Sequence, residues 1–415
     1  MNVVEKILSA SAQGQMVRPG DLVTVDVATA VMHDLFFIKV LWREPLKVLH
    51  PDRLVIIFDH IVPGNTPEMA EAHQRARDFA QHVGIRRFHD IGIDGGICHQ
   101  IIADKAYALP GTVLTCTDSH TSSAGAFNCA ARGTAQLDMT AAITTGKNWF
   151  QVGETIRYEF ESRLKPGVSA KDLFLYMAEV YGDHAGQNLE FSDPGAALSM
   201  NVRRTLCTMA TELSAEFAVF EFDEQLRQFL AERGARPYTP VMPDANARYL
   251  DVRRIDLGVI EPLVAKPDRV VKNSVPVGDV AGIRIQQAFI GSCANGTLDD
   301  LEVAASVVAG HKVAPGVRFI VTPASQAIYL EASRRGYLAT LVEAGAIVTN
   351  STCGPCAGVS FGSLAAGETC ITASTRNFKG RMGSKDAKIY MASPATVAAS
   401  ALRGEITHPS HFLAM

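Results

Sequence analysis

Ile283-Arg-Ile-Gln-Gln-Ala-Phe-Ile290 runs straight into Gly291-Ser-Cys-Ala-Asn-Gly296, and a stretch with helical spacing follows over residues 298–308. Branched and aromatic residues ahead of a Gly-bounded turn read as a strand, and the turn carries Cys293 to its end. The same strand, loop and helix order recurs at residues 317–321 followed by 325–344, while 346–349 and 369–373 read as further buried strands. Toward the N-terminus, residues 23–27 and 54–58 read as strands, and 66–83 as a helix opened by the cap-like Asn65-Thr-Pro-Glu68. Residues 113–116 form a short strand running into a Ser/Thr/Gly loop. Alternation of this kind predicts α/β layers with parallel sheet, and ligand groups in such folds gather in loops at the carboxyl ends of strands.

The strongest chemical signal is cysteine. Cys293 is joined by Cys353 and Cys356 in Thr352-Cys-Gly-Pro-Cys-Ala-Gly358. Three thiolates can hold a [4Fe–4S] cube by three corners, which leaves one iron open to act as a Lewis acid. A bare Cys-x-x-Cys has other readings: a redox pair, half of a structural zinc site, or two ordinary thiols. The redox reading wants the motif near the start of a small domain, and here it lies far down a long chain. The zinc reading wants a second close pair, and no other Cys-x-x-Cys or His-x-x-x-His exists.

Three histidines sit where a strand meets a loop. Asp59-His60 follows the strand at 54–58, His99 lies in Gly95-Gly-Ile-Cys-His-Gln100, and Asp118-Ser119-His120 follows the strand at 113–116. A carboxylate beside an imidazole fixes its tautomer and raises its basicity, which suits acid/base chemistry. The plainer reading is loop caps with a histidine in a polar niche. Arg376 and Arg381 lie in a glycine-containing loop after residues 369–373 and could grip carboxylates bidentately, or simply be solvated. Glu212, in Thr208-Met-Ala-Thr-Glu212, is either a surface glutamate or a buried acid.

Composition bounds the class. The chain has 415 residues, 47% apolar and 20% charged, with a net charge of −4. This is ordinary globular material, large enough for two or three domains, with no bias toward nucleic acid or an anionic membrane. No secretory signal is visible, apolar runs are too short to span a bilayer, and eight cysteines without that signal suggest thiols kept reduced in a cytoplasm. A new unit is expected to start at Leu164-Lys-Pro-Gly167, and residues 235–251 read as a surface loop.

Taken together and in order, these segments resemble the aconitase superfamily, nearest to the large subunits of its two-chain 2-alkylmalate dehydratases. The matching points run from Phe58-Asp-His60, Gly95 to Ile102 and Cys116-Thr-Asp-Ser-His-Thr121, through Leu198-Ser-Met200, Glu212 and Asp223. They end with Gly291-Ser-Cys-Ala-Asn295, Cys353-Gly-Pro-Cys356, Arg376-Asn-Phe378 and Ser393-Pro-Ala-Thr-Val-Ala-Ala399. The resemblance implies three α/β subdomains around a [4Fe–4S] cluster. It divides the chain into an N-terminal catalytic region, 1–285, and a cluster-binding region, 286–415.

It implies that Cys293, Cys353 and Cys356 are the cluster ligands. Asp59, His60, His99, Asp118, Ser119, His120 and Glu212 would be the acid/base and hydrogen-bonding set, with Arg376 and Arg381 binding substrate carboxylate. The implied activity is a hydro-lyase isomerising a small hydroxy-dicarboxylate by dehydration and rehydration. Homoaconitase-like, methylmalate or dimethylmalate dehydratases and a specialised secondary-metabolism isomerase are alternatives, with an iron-responsive RNA-binding protein as a rival of another class. The family's swivelling domain is expected on a separate small subunit, in a heterodimer or heterotetramer. Four departures touch the pattern: Ala294, Thr208, Leu213-Ser214 and Thr375, of which Thr208 and Thr375 replace asparagines that lie near cluster or substrate in the family.

Overall fold

The computed structural model describes residues 1–413. The chain forms two compact units, each discontinuous in sequence. The first comprises Met1–Ile91, Cys98–Glu161 and His184–Ile255; the second comprises Gly92–Ile97, Ser162–Asp183 and the chain from Asp256 onward.

The first unit is organised by a five-stranded, all-parallel sheet. Its spatial order is Arg87–His89, Leu54–Ile57, Thr29–His33, Val113–Cys116, Ala130–Gly133. The chain enters at the central strand, winds outward to one side through the second and third, then crosses to the other side. Parallel sheets that reverse winding in this way open a crevice at the carboxyl ends of the strands flanking the reversal. His33 pairs across from Ile57 and Val31 from Cys116, so the loops starting at residues 34, 58 and 117 leave the same edge. A four-stranded sheet in the order Phe217–Phe220, Gln187–Ser192, Glu154–Glu161, Asp251–Asp256 belongs to this unit too.

Helix Pro67–Val83 shows why these segments fold as they do. Thr66 accepts the Met69 N–H as N-cap, Pro67 fills the first helical position, and Gly84 ends the helix at φ 77°. Met69, Ala72, Ala76, Phe79 and Ala80 make one buried stripe. Phe79 meets Phe37 and Trp42 with ring centroids 6.1 and 5.0 Å away. Burying such a ring stabilises by about 2–3 kcal/mol.

The second unit is built on a seven-stranded sheet ordered Ser274–Pro276, Leu263–Ala265, Lys388–Ala392, Thr369–Thr372, Gln287–Ile290, Arg318–Val321, Ile347–Val348. The last five are mutually parallel, and Leu263–Ala265 is antiparallel to both its neighbours. Winding reverses between Gln287–Ile290 and Thr369–Thr372, so the loops after these two strands flank a second crevice.

Three expectations need correction. The strand read over 283–290 is confined to Gln287–Ile290. The helix read over 325–344 is two helices, Gln326–Arg334 and Tyr337–Ala344, broken at Gly336 with φ 79°. Glycine adopts that left-handed conformation at no steric cost. The strand read as buried over 346–349 is the short edge strand Ile347–Val348, with Ile347 50% exposed.

Candidate functional site

In the first unit the sequence-predicted acid/base residues form one network at the carboxyl edge of the five-stranded sheet. Asp59 and His60 lie just beyond Leu54–Ile57. The His60 Nδ1 is 2.6 Å from Asp59 Oδ1, and the other Asp59 oxygen accepts the Cys98 main-chain N–H at 2.9 Å. That N–H belongs to the first residue of helix Cys98–Asp104, which carries His99. Asp118 is the hub. Its Oδ1 is 2.7 Å from His99 Nε2 and accepts the His120 main-chain N–H at 2.8 Å, while its Oδ2 is 3.4 Å from His60 Nε2. His120 Nε2 reaches Glu212 Oε1 at 2.9 Å, and Ser119 Oγ lies 3.4 Å from His120 Nδ1.

Glu212 is therefore the buried acid of the two readings. It sits in the turn Thr211–Leu213 after helix Met200–Ala210, and its side chain is 2% exposed. Thr208 is buried one turn earlier, with its hydroxyl donating to the Arg204 carbonyl at 2.7 Å. A cavity of about 410 Å³ borders Asp118 and Ser119 and is lined further by Thr134, Thr211 and an Arg132–Glu216 ion pair.

The charges follow from these contacts. Burial alone would push the Asp118 carboxyl up, but His99, His120 and His60 outweigh it and hold Asp118 well below the usual carboxylate range. An anion thus stands amid three imidazoles. His33 packs against His60 with ring centroids 4.5 Å apart and planes tilted by 46°, and burial, then His60, push its imidazole down against the pull of Asp59, Asp118 and Asp34.

In the second unit the three signalled cysteines lie on loops at one sheet edge. Cys293 is three residues beyond Gln287–Ile290, and Cys353 and Cys356 flank and enter the turn Gly354–Ala357 after Ile347–Val348. Both loops pack on the same two side chains. A Cβ at Gly291 would fall 2.8 Å from the Phe289 ring and 3.0 Å from Thr322 Cβ; a Cβ at Gly354 would fall 3.1 Å from that ring and 3.0 Å from Thr322 Oγ1. Ser292, beside Cys293, holds φ 66°, a conformation that costs a non-glycine residue about 1–2 kcal/mol. The third loop follows Thr369–Thr372. Thr375 Oγ1 is 3.7 Å from Cys356 Sγ, and Arg381 Nη2 is 3.9 Å from the same sulfur. The half-buried Arg376 rides in this loop, whose backbone is clamped by Lys171 donating to the Ser374 carbonyl at 2.9 Å and Asn377 donating to the Lys266 carbonyl at 2.7 Å.

These residues fit a thiolate-held cluster. All eight cysteines are thiols rather than disulfides. Cys293 and Cys353 are half-buried and Cys356 is 6% exposed, whereas Cys98, Cys116, Cys129, Cys207 and Cys370 are fully enclosed. Burial pushes Cys129 and Cys370 up to about 12 and raises Cys98 and Cys207 well above an ordinary thiol. Enclosed and held toward the thiol form, those four are poorer thiolate donors than the three loop cysteines. Around the three loop cysteines, Ser292 Oγ, Asn295 Oδ1, Ser351 Oγ and Arg381 Nε are buried polar atoms without a hydrogen-bond partner. Such atoms are rare in folded proteins, and several in one place mark where a polar or charged group belongs.

Two residues of the first network carry no mark in the sequence reading, His33 and Asp34. They close the central strand Thr29–His33, and Asp34 is fully buried against the 59–61 turn. The available signal was a His-Asp pair after a short apolar run, the mirror of Asp59-His60.

The family model described as the aconitase family (aconitate hydratase) matches residues 10–404. The 3-isopropylmalate dehydratase large subunit of Mycolicibacterium smegmatis is 49% identical over 408 residues, 98% of this chain and 96% of the relative. The 3-isopropylmalate dehydratase large subunit 1 of Methanopyrus kandleri is 41% identical, with 99% of each chain covered. A probable methanogen homoaconitase large subunit of Methanothermobacter thermautotrophicus is 39% identical over 99% of this chain and 97% of its own length. Among the described residues no helix is long and apolar enough to cross a membrane.

Proposed function

This chain belongs to the aconitase family, and we propose that it is the large subunit of a two-chain hydro-lyase that isomerises a 2-alkylmalate, as a 3-isopropylmalate dehydratase does. The observation that carries this reading is the Asp118-centred network of three histidines and two further carboxylates, an arrangement suited to moving protons. A separate small subunit is supported by relatives named as large subunits and matched over nearly their whole length.

We assign Cys293, Cys353 and Cys356 as holders of a [4Fe–4S] cluster. When bound, it supplies an open iron that acts as a Lewis acid toward substrate oxygens. The chain's own residues orient the substrate and move its protons. Arg376 and Arg381 present planar guanidinium groups to substrate carboxylate, and a bidentate pair of this kind fixes angle as well as position. His60 keeps its Nδ1 proton on Asp59, so its Nε2 is the atom that carries the transferable proton beside anionic Asp118. In dehydration that proton goes to the departing hydroxyl, and in rehydration it is recovered from water. His99 is pinned by Asp118 and His120 by Glu212, which holds both rings in one orientation. The base that takes the carbon-bound proton is assigned to the small subunit.

A homoaconitase-type reaction is the second reading, favoured by relatives of that name at similar coverage. It shares every step above and differs only in the substrate's side chain. The test is iron and sulfide content with paramagnetic resonance on anaerobically purified single Cys→Ser variants. Loss of the cluster in Cys293→Ser, Cys353→Ser and Cys356→Ser, with retention in Cys116→Ser and Cys370→Ser, is expected. A full cluster in Cys353→Ser would overturn the ligand assignment.

A further inference from the structure

We propose that Asp34 is the positioning residue of the Asp59–His60 pair, and that it keeps the Asp59 carboxylate turned onto the imidazole. Asp34 follows the central strand of the five-stranded sheet, and the Asp59–His60 turn follows the strand beside it, so parallel pairing sets the two side by side. Asp34 Oδ1 accepts the main-chain N–H of His60 at 3.0 Å and of Asp59 at 3.3 Å, and its Oδ2 accepts that of Ile61 at 2.9 Å. Its side chain is fully enclosed.

Asp34 and Asp59 compete for the same N–H groups. An aspartate in a turn ordinarily bonds the main-chain N–H two residues ahead of itself. For Asp59 that donor is Ile61. If Asp59 took it, its carboxylate would swing away from the neighbouring ring. Asp34 occupies the Ile61 N–H and the His60 N–H together, so both Asp59 oxygens are left for His60 Nδ1 and the Cys98 N–H. The 2.6 Å contact that fixes the His60 tautomer therefore depends on a residue 26 positions earlier whose short contacts are to the main chain, its Oδ1 lying farther, 3.6 Å, from the ring's Nδ1.

A metal-binding reading of His33, Asp34 and His60, whose donor atoms lie within 4.8 Å of one another, is weaker. A cation would have to strip Asp34 of its three main-chain donors and His60 Nδ1 of Asp59.

The proposal rests on the acid/base reading of His60, and the experiment separates the two. Asp34→Asn keeps the shape but has one accepting oxygen, and its amide N–H₂ must face a donor. In the full chain with labelled histidine, the strongly hydrogen-bonded Nδ1–H resonance of His60 should disappear in Asp34→Asn while the His99 and His120 resonances stay. This readout needs no turnover, so it stands even if the hydro-lyase reading fails. In the active two-subunit enzyme, kcat should fall about 30- to 300-fold with KM held within about threefold. Placed in an Asp59→Asn background, Asp34→Asn should add less than about threefold, because its effect runs through Asp59. An unchanged His60 resonance, additive losses in the double variant, or an Asp34→Asn chain that fails to fold would each overturn the proposal, the last by making Asp34 a residue of the fold.

Discussion

Asp118→Asn is the sharpest perturbation of the acid/base network. The amide matches the carboxylate in shape but carries no charge. In the native chain the carboxylate takes two short contacts, 2.7 Å to His99 Nε2 and 2.8 Å from the His120 N–H, with His60 Nε2 at 3.4 Å. Hydrogen bonds to an ionised acceptor contribute about 1.5–3 kcal/mol each, against about 0.5–1.5 for a neutral one. Exchanging two of them loses about 2–3 kcal/mol, with only 15% of the side chain exposed to screen it. If the network acts in the transition state, kcat/KM falls roughly 30- to 150-fold. The direction with pH is fixed as well. Asp118 is held well below the usual carboxylate range, so it is an anion throughout the working range and favours a protonated neighbour. Without that anion the limb of the pH–rate profile that reports the protonated acid moves to lower pH, by about one unit or more. The assay is kcat/KM against pH in the cluster-loaded two-subunit enzyme, with iron per chain and the melting temperature as controls. Efficiency within about threefold of the parent and an unmoved limb would refute the hub role.

Gly354→Ala should lower iron retention, because the φ of 61° costs a side chain about 1–2 kcal/mol and the new methyl meets Phe289 and Thr322; iron per chain after anaerobic gel filtration reports it. Arg376→Lys should reduce kcat/KM by roughly thirtyfold to several thousandfold without unfolding the chain, since an ammonium cannot copy the planar fork; efficiency near the parent's would remove Arg376 from the site. Burial pushes the Asp172 carboxyl to about 6, above its ordinary 3.8, against hydrogen bonds from Ser169, Leu263 and Ser393. A folded-state value raised in this way contributes stability that is full below the unfolded value and is lost as pH rises through the folded one. Relative to Asp172→Asn, the parent should lose about 2–3 kcal/mol of denaturant stability between about pH 4 and pH 7; parallel curves for the two chains would contradict this.

Much of the site was legible in the sequence because its residues follow recognisable strands. Residues 113–116 and the helix 298–308 appear where the pattern places them, and the strand ending before Asp59 is one residue shorter than read. The cysteine loops were legible for the same reason, and their glycines show why: only they let both loops close on Phe289 and Thr322. What stayed hidden is what neighbours in space decide. Thr29–His33 is buried on both faces, so it shows no alternation and Asp34 went unread. Nothing local says that Asp118 would take contacts from three histidines, or that Thr208 would turn its hydroxyl onto its own helix. The unit break near residue 164 was visible, whereas the return of Ser162–Asp183 to the second unit is set by packing such as the Lys171–Ser374 bond.

The most direct test of the account is the ultraviolet absorbance of an alkene product. The chain would be purified anaerobically, its iron and sulfide measured, and mixed with a small subunit and a panel of 2-alkylmalates and homocitrate-type acids. Alkene should form from an alkylmalate only when both the cluster and the small subunit are present, with homocitrate-type acids slower. A fully loaded pair that dehydrates no member of the panel would contradict the account.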